Sequence, residues 1–477
     1  MQLHKLTITE AALGLKKKEF TSVELTEACL DRIHQRNDVL NAFITVADES
    51  ALTAARSADQ MIAAGQGHIL TGIPFSVKDA ICTTDIRSTG AAKILDNFVP
   101  SFESTVIRKL REVGGVIVGK ANCDTFGHGS SNENSMYGPV RNPHDESKVA
   151  GGSSGGSAAS VADNQCIYSV AEDTGGSIRY PASFCGVVGM RPSYGRNSRY
   201  GIMPMASSLD TVGPMTKTVE DAAILMEVLA GQDPLDATTV PGPVPSYTAE
   251  LKKDLRGLKV GIPKEYFETE GMDPEVLGII QKNIARLTSL GCQMREVSLP
   301  YTKYAIPVYY IIVPCEDSSN LARLDGIRYG VRASGQSLYD VYANSRASGF
   351  PTEVKRRIMM GTYALSAGYY DAYYRKAQKV RTLIARDFER VFQEVDVLVT
   401  PTSPYPAFPI GEKTQDVLAM YLTDIFVSPA AVAGIPGLSV PVEKTKAQLP
   451  VGLQILGPRL SEGLVLRVGH AIEQLQK

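Results

Sequence analysis

The stretch AGGSSGGSAASVADNQCIYSVAEDTGGSIRYP, residues 150–181, decides the reading of the fold. Two Gly/Ser-rich turns, AGGSSGGSAAS (150–160) and EDTGGSIRYP (172–181), flank a run of small helix-compatible residues, SAASVAD, and a strand-like run from Cys166 to Val170. Helix followed by buried strand is the mark of an α/β protein. The alternation extends in both directions. Upstream, Thr21 and Glu24 have capping-box spacing, and Leu25, Cys29 and Ile33 recur at helical spacing. The Ala-rich segment 51–64 reads as helix, and GIPFSVKDAI (72–81) contains a short strand that ends on Lys78. A helical pattern from Ser104 to Val113 leads into the strand Val116-Ile117-Val118. Downstream, Pro234 to Pro245 is a surface excursion. Strands follow at 258–262, 396–399 and 438–442, and helices at 275–290, 353–394 and 462–475. The pattern predicts one α/β domain over 1–477. It has N-terminal helices to about residue 65, a core over about 66–230 and 396–477, and an inserted, mostly helical subregion over about 265–395.

Composition removes several classes of protein. A chain of 477 residues can bury a large core without staples. With 44 % hydrophobic and 21 % charged residues it is neither disordered nor collagen-like. A net charge of −2 argues against a protein that grips nucleic acid on its own. The seven cysteines are odd in number and show no CxxC spacing, so neither a zinc site nor a disulfide framework is expected. The N-terminus lacks the apolar core of a signal peptide. No run of about 18 apolar residues is present. A soluble, cytoplasmic protein is expected.

Three chemistries compete for the Gly/Ser loops. Phosphate binding fails on the motif rules: no Lys follows either glycine pair, and Ser153 stands where GxGxxG needs glycine. A hydrolase elbow is matched by Gly151-Gly152-Ser153-Ser154-Gly155, but only His470 follows that serine, inside an apolar-periodic helix. The third is a serine nucleophile activated without histidine. A serine needs a base, and a lysine serves if burial keeps its amine neutral. Lys78 ends an apolar run, where such an amine would sit. Tightly turned glycines can aim several backbone N–H groups at one oxygen.

The segments around Lys78 (72–80), GGSSGGSAAS (151–160) and DTGGSIRYPASFCG (173–186) resemble the amidase signature family. That resemblance implies a large mixed β-sheet covered by helices on both faces. It implies a Ser–cis-Ser–Lys triad, with Ser177 as nucleophile, Ser153 as the bridging serine in a cis peptide, and Lys78 as base. The amides of Thr174, Gly175, Gly176 and Ser177 would form the oxyanion hole. The segments 309–330, 353–384 and 420–441 are similar to one branch of the family, the glutamine-hydrolysing subunits of tRNA-dependent amidotransferases. For a free glutamine, the resemblance makes Arg357 the partner of the carboxylate and Asp424 that of the ammonium, with Tyr309 lining the pocket. Ser130 and Ser131 would touch the carboxamide or order the triad. No metal or organic cofactor is implied for this chain. ATP and Mg would be used at a partner subunit of a heterotrimer with B and C subunits, and the mischarged tRNA would be held mainly by B.

Two departures from the family pattern stand out. Glu172 occupies a position where a small residue is usual, and the expectation is that it points outward, harmless to Lys78. His128 stands where an apolar residue is expected, and the sequence offers no reason for it. The competing functions are a stand-alone amidase that would not depend on Arg357 or Asp424, a catalytically silent scaffold, and a hydrolase dependent on His470.

Overall fold

The computed structural model describes residues 2–476. Short runs become strands: β1 Phe43–Val46, β2 Pro74–Lys78, β3 Val116–Ala121, β4 Arg141–Asn142, β5 Asp145–Val149, β6 Tyr168–Asp173 and β7 Val188–Arg191. The series continues with β8 Thr211–Thr216, β9 Lys259–Pro263, β10 Gln293–Val297, β11 Val397–Pro401, β12 Gly437–Lys444 and β13 Pro450–Leu456. Among the described residues, eleven of them form one sheet in the order β1-β3-β2-β6-β8-β7-β12-β13-β11-β9-β10, and β4 pairs with β5 apart from it. The sheet is mixed: β2 runs parallel to β3 and to β6, while β6 is antiparallel to β8. Every residue of β2, β3 and β6 is buried. A strand buried at every position needs cover on both faces, which explains the absence of polar alternation in these runs.

The predicted helices form where capping and periodicity place them. Thr21 caps Ser22–Leu40 in a capping box with Glu24. Helices also cover Asp48–Ala63, Thr105–Glu112, Gly155–Ala162, Pro274–Ser289 and Glu462–Gln474. Three elements differ from the expectation. Strand β6 runs to Asp173 rather than stopping at Val170. The helical stretch 353–394 is two helices, Thr352–Leu365 and Tyr374–Val391, broken by turns that include Gly368 at φ +87°. Within the region expected to be helical, β10 pairs in parallel with β9 and closes one edge of the sheet. Its pattern of mostly exposed residues suits an edge strand.

The register sets up the site. Val77 lies opposite Lys120 on β3 and Val170 on β6, and Lys78 lies opposite Ala121. Parallel β2, β3 and β6 therefore end together, and the loops that follow them converge. Ligands of open α/β sheets bind outside such carboxyl ends.

Candidate active site

Lys78 is the last residue of β2 and is fully buried. Its Nζ donates to Ser153 Oγ at 2.8 Å. The Gly152–Ser153 peptide is cis. Backbone hydrogen bonds fix the Ser153 loop. Gly152 N donates to Ser130 O (2.7 Å), Asp124 N to Ser153 O (3.0 Å) and Ser154 N to Ser177 O (3.2 Å). The last of these ties the two Gly/Ser loops together. Ser177 keeps 7 % exposure while Ser153 and Lys78 keep none, so the nucleophile candidate is the one of the three open to a ligand.

The DTGGS loop is built on Asp173. Its carboxylate accepts from Gly176 N (2.8 Å), Ile178 N (3.2 Å), Arg179 Nε (3.1 Å) and Arg191 (2.7 Å). Burial opposes its charge, but Arg179 and Arg191 overcome that and hold the carboxyl well below the usual carboxylate range. This corrects one prediction: the Gly176 amide is occupied by Asp173 and does not point at an oxyanion. The amides of Thr174, Gly175 and Ser177 have no acceptor among the described residues. Gly176 is nonetheless required, because its φ is +138° and a Cβ there would lie 2.1 Å from Val427. At Gly175 a Cβ would lie 2.5 Å from the Tyr309 ring, so that ring packs directly on the loop.

Across from these loops the inserted helices bring the other predicted residues together. Ser130 Oγ donates to Asp424 Oδ1 at 2.7 Å, and Tyr310 OH donates to Asp424 Oδ2 at 3.0 Å. Burial pushes the Asp424 carboxyl up to about 6, although the Ser130 and Tyr310 bonds and the Arg357 charge draw it down. Arg357 Nε donates to Glu353 Oε1 at 2.8 Å, and its guanidinium lies 5.0 Å from the Tyr310 ring centre and 5.2 Å from that of Tyr421. Tyr421 OH donates to the same Glu353 oxygen. Ser130, Ser131 and Arg357 line a cavity of about 290 Å³, small enough to suit an amino acid. Ser130 therefore orders both the cis-serine loop, through its carbonyl, and Asp424, through its hydroxyl. The Ser131 hydroxyl is buried and makes no hydrogen bond among the described residues.

Tyr310, Glu353 and Tyr421 went unseen in the sequence. Glu353 carried a signal, since it stands four residues before Arg357 on one helix face. Tyr310 and Tyr421 stack at 3.7 Å across more than a hundred residues of chain and carried none.

The expectation for Glu172 is overturned. Its side chain is buried, with Oε1 3.3 Å from Lys78 Nζ. Because β6 extends to Asp173 inside a sheet covered on both faces, position 172 has no outward direction to take. His128 is also buried and meets Asp317 Oδ2 at 2.7 Å and Thr125 O at 2.9 Å. His470 lies on the helix Glu462–Gln474, with Nδ1 3.8 Å from Glu473 Oε2. The residue hydrogen-bonded to Ser153 is Lys78.

A buried amine bonded to a serine, beside a second serine with unoccupied amides, is an arrangement for acyl transfer without histidine or metal ligands. The chain belongs to the amidase family, whose pattern matches residues 24–466. It is 54 % identical, over 99 % of its own length and 98 % of the other, to the A subunit of the glutamyl-tRNA(Gln) amidotransferase of Geobacter sp. (strain M21). The corresponding protein of Koribacter versatilis (strain Ellin345) is 51 % identical, with 99 % of both chains covered. Among solved structures, the A subunit of the glutamyl-tRNA(Gln) amidotransferase of Thermotoga maritima matches with a TM-score of 0.83 at 41 % identity, over 99 % of this chain and 95 % of that one. The peptide amidase of Stenotrophomonas maltophilia matches with the same TM-score at 30 % identity, over 98 % and 96 %.

Proposed function

We propose that this chain is the glutamine-hydrolysing A subunit of a tRNA-dependent amidotransferase. The observation that carries the chemistry is the 2.8 Å bond from the buried Lys78 amine to Ser153, in a loop tied by backbone to Ser177. Full-length likeness to A subunits supports the biological setting. Free glutamine offers a carboxylate and an ammonium. The buried cation Arg357 and buried anion Asp424 are linked through Tyr310 and suit that pair.

In the forward step Ser177 Oγ attacks the carboxamide carbon. The C–O bond forms as the carbonyl electron pair moves onto oxygen. The Ser177 proton passes to Ser153 Oγ, whose own proton passes to the Lys78 amine. The amides of Thr174, Gly175 and Ser177 receive the oxyanion; each such donor is worth about 10²–10³ in rate. Collapse breaks the C–N bond, and the proton held on Lys78 returns through Ser153 to the leaving ammonia. Water then cleaves the glutamyl ester by the same relay and releases glutamate. A positioned base of this kind contributes about 10²–10⁴. The ammonia would go to a B subunit, where ATP and Mg activate the glutamyl or aspartyl group of a mischarged tRNA, with a C subunit completing the heterotrimer.

The test is glutamate release from glutamine by the full chain co-expressed with its partner subunits. Ser177→Ala and Lys78→Met should each abolish release, and His470→Ala should not. Release that survives Ser177→Ala, or that is lost only in His470→Ala, overturns the reading.

A further inference from the structure

We propose that Glu172 is a positioning residue of the base, whose carboxylate holds the ammonium formed on Lys78 when Ser177 loses its proton. This rests on the serine–lysine reading above and goes beyond it. A protonated lysine has three N–H donors, and Lys78 makes one hydrogen bond, to Ser153 Oγ. The second partner within reach is Glu172 Oε1, 3.3 Å away, and both side chains are buried. Neither Glu172 oxygen accepts a hydrogen bond among the described residues, so Lys78 is its contact partner. A positive charge born on Lys78 would be out of reach of water. Moving one proton from Ser177 through Ser153 turns an amine beside a carboxylate into an ammonium beside a carboxylate. The buried aspartate of a serine-protease triad does the same for an imidazolium.

Burial raises the Glu172 carboxyl above the ordinary range, against the opposing charges of Lys78 and then His128. His128 meets Thr125 O at 2.9 Å through Nδ1 and Asp317 Oδ2 at 2.7 Å through Nε2. The other titratable groups packed here come from two segments. Asp124 and Cys123 follow β3, and Asp210 precedes β8. Asp124 is pushed up to about 7 by burial and is bonded by the Asn132 and Asn134 amides. Asp210 is pushed up to about 7 by burial and by Glu172, and is bonded by Thr174 Oγ1 and the amides of Met205 and Ala206. Burial keeps the Cys123 thiol neutral. Glu172 is thus the carboxylate at contact distance from Lys78, and an isosteric amide there isolates its share of any pH dependence.

A neighbouring carboxylate favours the charged form of an amine. Activation of Ser177 should therefore need a higher pH with Glu172 than without it, and should run faster once that pH is reached. The measurement is the rate at which phenylmethanesulfonyl fluoride sulfonylates Ser177 in the full chain from pH 6 to 10, with the modified residue identified by mass spectrometry. Glu172→Gln and Glu172→Ser should move the midpoint of the rate profile down by about one pH unit or more, a tenfold change in proton activity. Both should also lower the high-pH plateau about fivefold. Glu172→Asp should recover much of both changes. Profiles of both Gln and Ser variants that superimpose on that of the unmodified chain, with Ser177 still labelled, overturn the role of Glu172 alone. Equal labelling of Ser177 in Lys78→Met overturns the serine–lysine reading and the present inference with it.

Discussion

Two lysines are fully buried on neighbouring strands, Lys78 at the end of β2 and Lys120 near the end of β3, and their surroundings differ. Lys120 donates to Ile81 O, to Thr83 Oγ1 at 3.0 Å and to Ser88 Oγ at 2.7 Å, so all three of its donors are taken. Burial pulls its amine below the ordinary range, and Asp79 partly restores it. Lys78 has one hydroxyl and one carboxylate. The register sends the two side chains to opposite faces, because Lys120 is level with Val77. A saturated ammonium is a structural tie, whereas an amine with a hydroxyl as its one hydrogen-bond partner can exchange a proton. The same contrast separates two buried carboxylates. Asp173 is surrounded by two arginines and two backbone amides, while Asp424 receives one hydroxyl on each oxygen.

The largest test of this contrast is Lys78→Met, which should lower kcat/KM for glutamine about 10³-fold or more with the chain still folded. Circular dichroism and glutamate release measure the two sides. Lys120→Met comes next. It strands a carbonyl and two hydroxyls and should cost on the order of 3 kcal/mol in stability, read from urea unfolding, with KM unchanged. If a folded Lys120→Met chain loses hydrolysis as completely as Lys78→Met, the distinction between the two lysines fails.

Among the carboxylates, Asp424→Asn should raise KM for glutamine about 10- to 100-fold and change kcat far less, since in the proposed binding mode it removes a charge that binds rather than reacts. Arg357→Ala should do the same through the carboxylate borne on the same carbon of the substrate. A kcat loss with KM unchanged would place these residues in the chemistry instead. The smallest effect is one of pH. The Asp424 carboxyl is raised to about 6, so it ionises above that value and is protonated below it. In the proposed binding mode the ammonium of glutamine needs the ionised form. KM should therefore be flat from pH 7 to 8 and rise about tenfold for each unit below pH 6. Asp173, held low by its arginines, should contribute nothing across that window. Initial rates against glutamine concentration from pH 5 to 8 measure it.

Much of the fold was legible. The capping box at Thr21, the run that ends on Lys78 and the small-residue helix Gly155–Ala162 form as the residues predict. Lys78 and Ser153 were legible as a pair through the family resemblance that their segments carry, and the structure hydrogen-bonds them. Glu172 was misread because its direction depends on where β6 ends. Val170 pairs with Val77, so alternation alone would send Glu172 to the face opposite Lys78. Both residues sit at the carboxyl ends of their strands, and they meet across the end of the sheet. Gly176 was misassigned for a related reason. A glycine-rich turn announces free amides, but not which of them an aspartate three residues earlier has already taken.

The sequence by itself determined the α/β alternation, the two loops and the residue types able to run acyl transfer without histidine. The first two rest on periodicity and turn chemistry, which act over a few residues, and the third on the resemblance of local motifs. The tertiary structure decided which buried groups stay chemically available. It saturated Lys120 and left Lys78 one hydroxyl, turned Glu172 inward, and joined Ser130 to Asp424 across 294 residues of chain. Whether a buried polar group reacts depends on the partners that fill its remaining bonds, and packing brings those partners from distant parts of the chain.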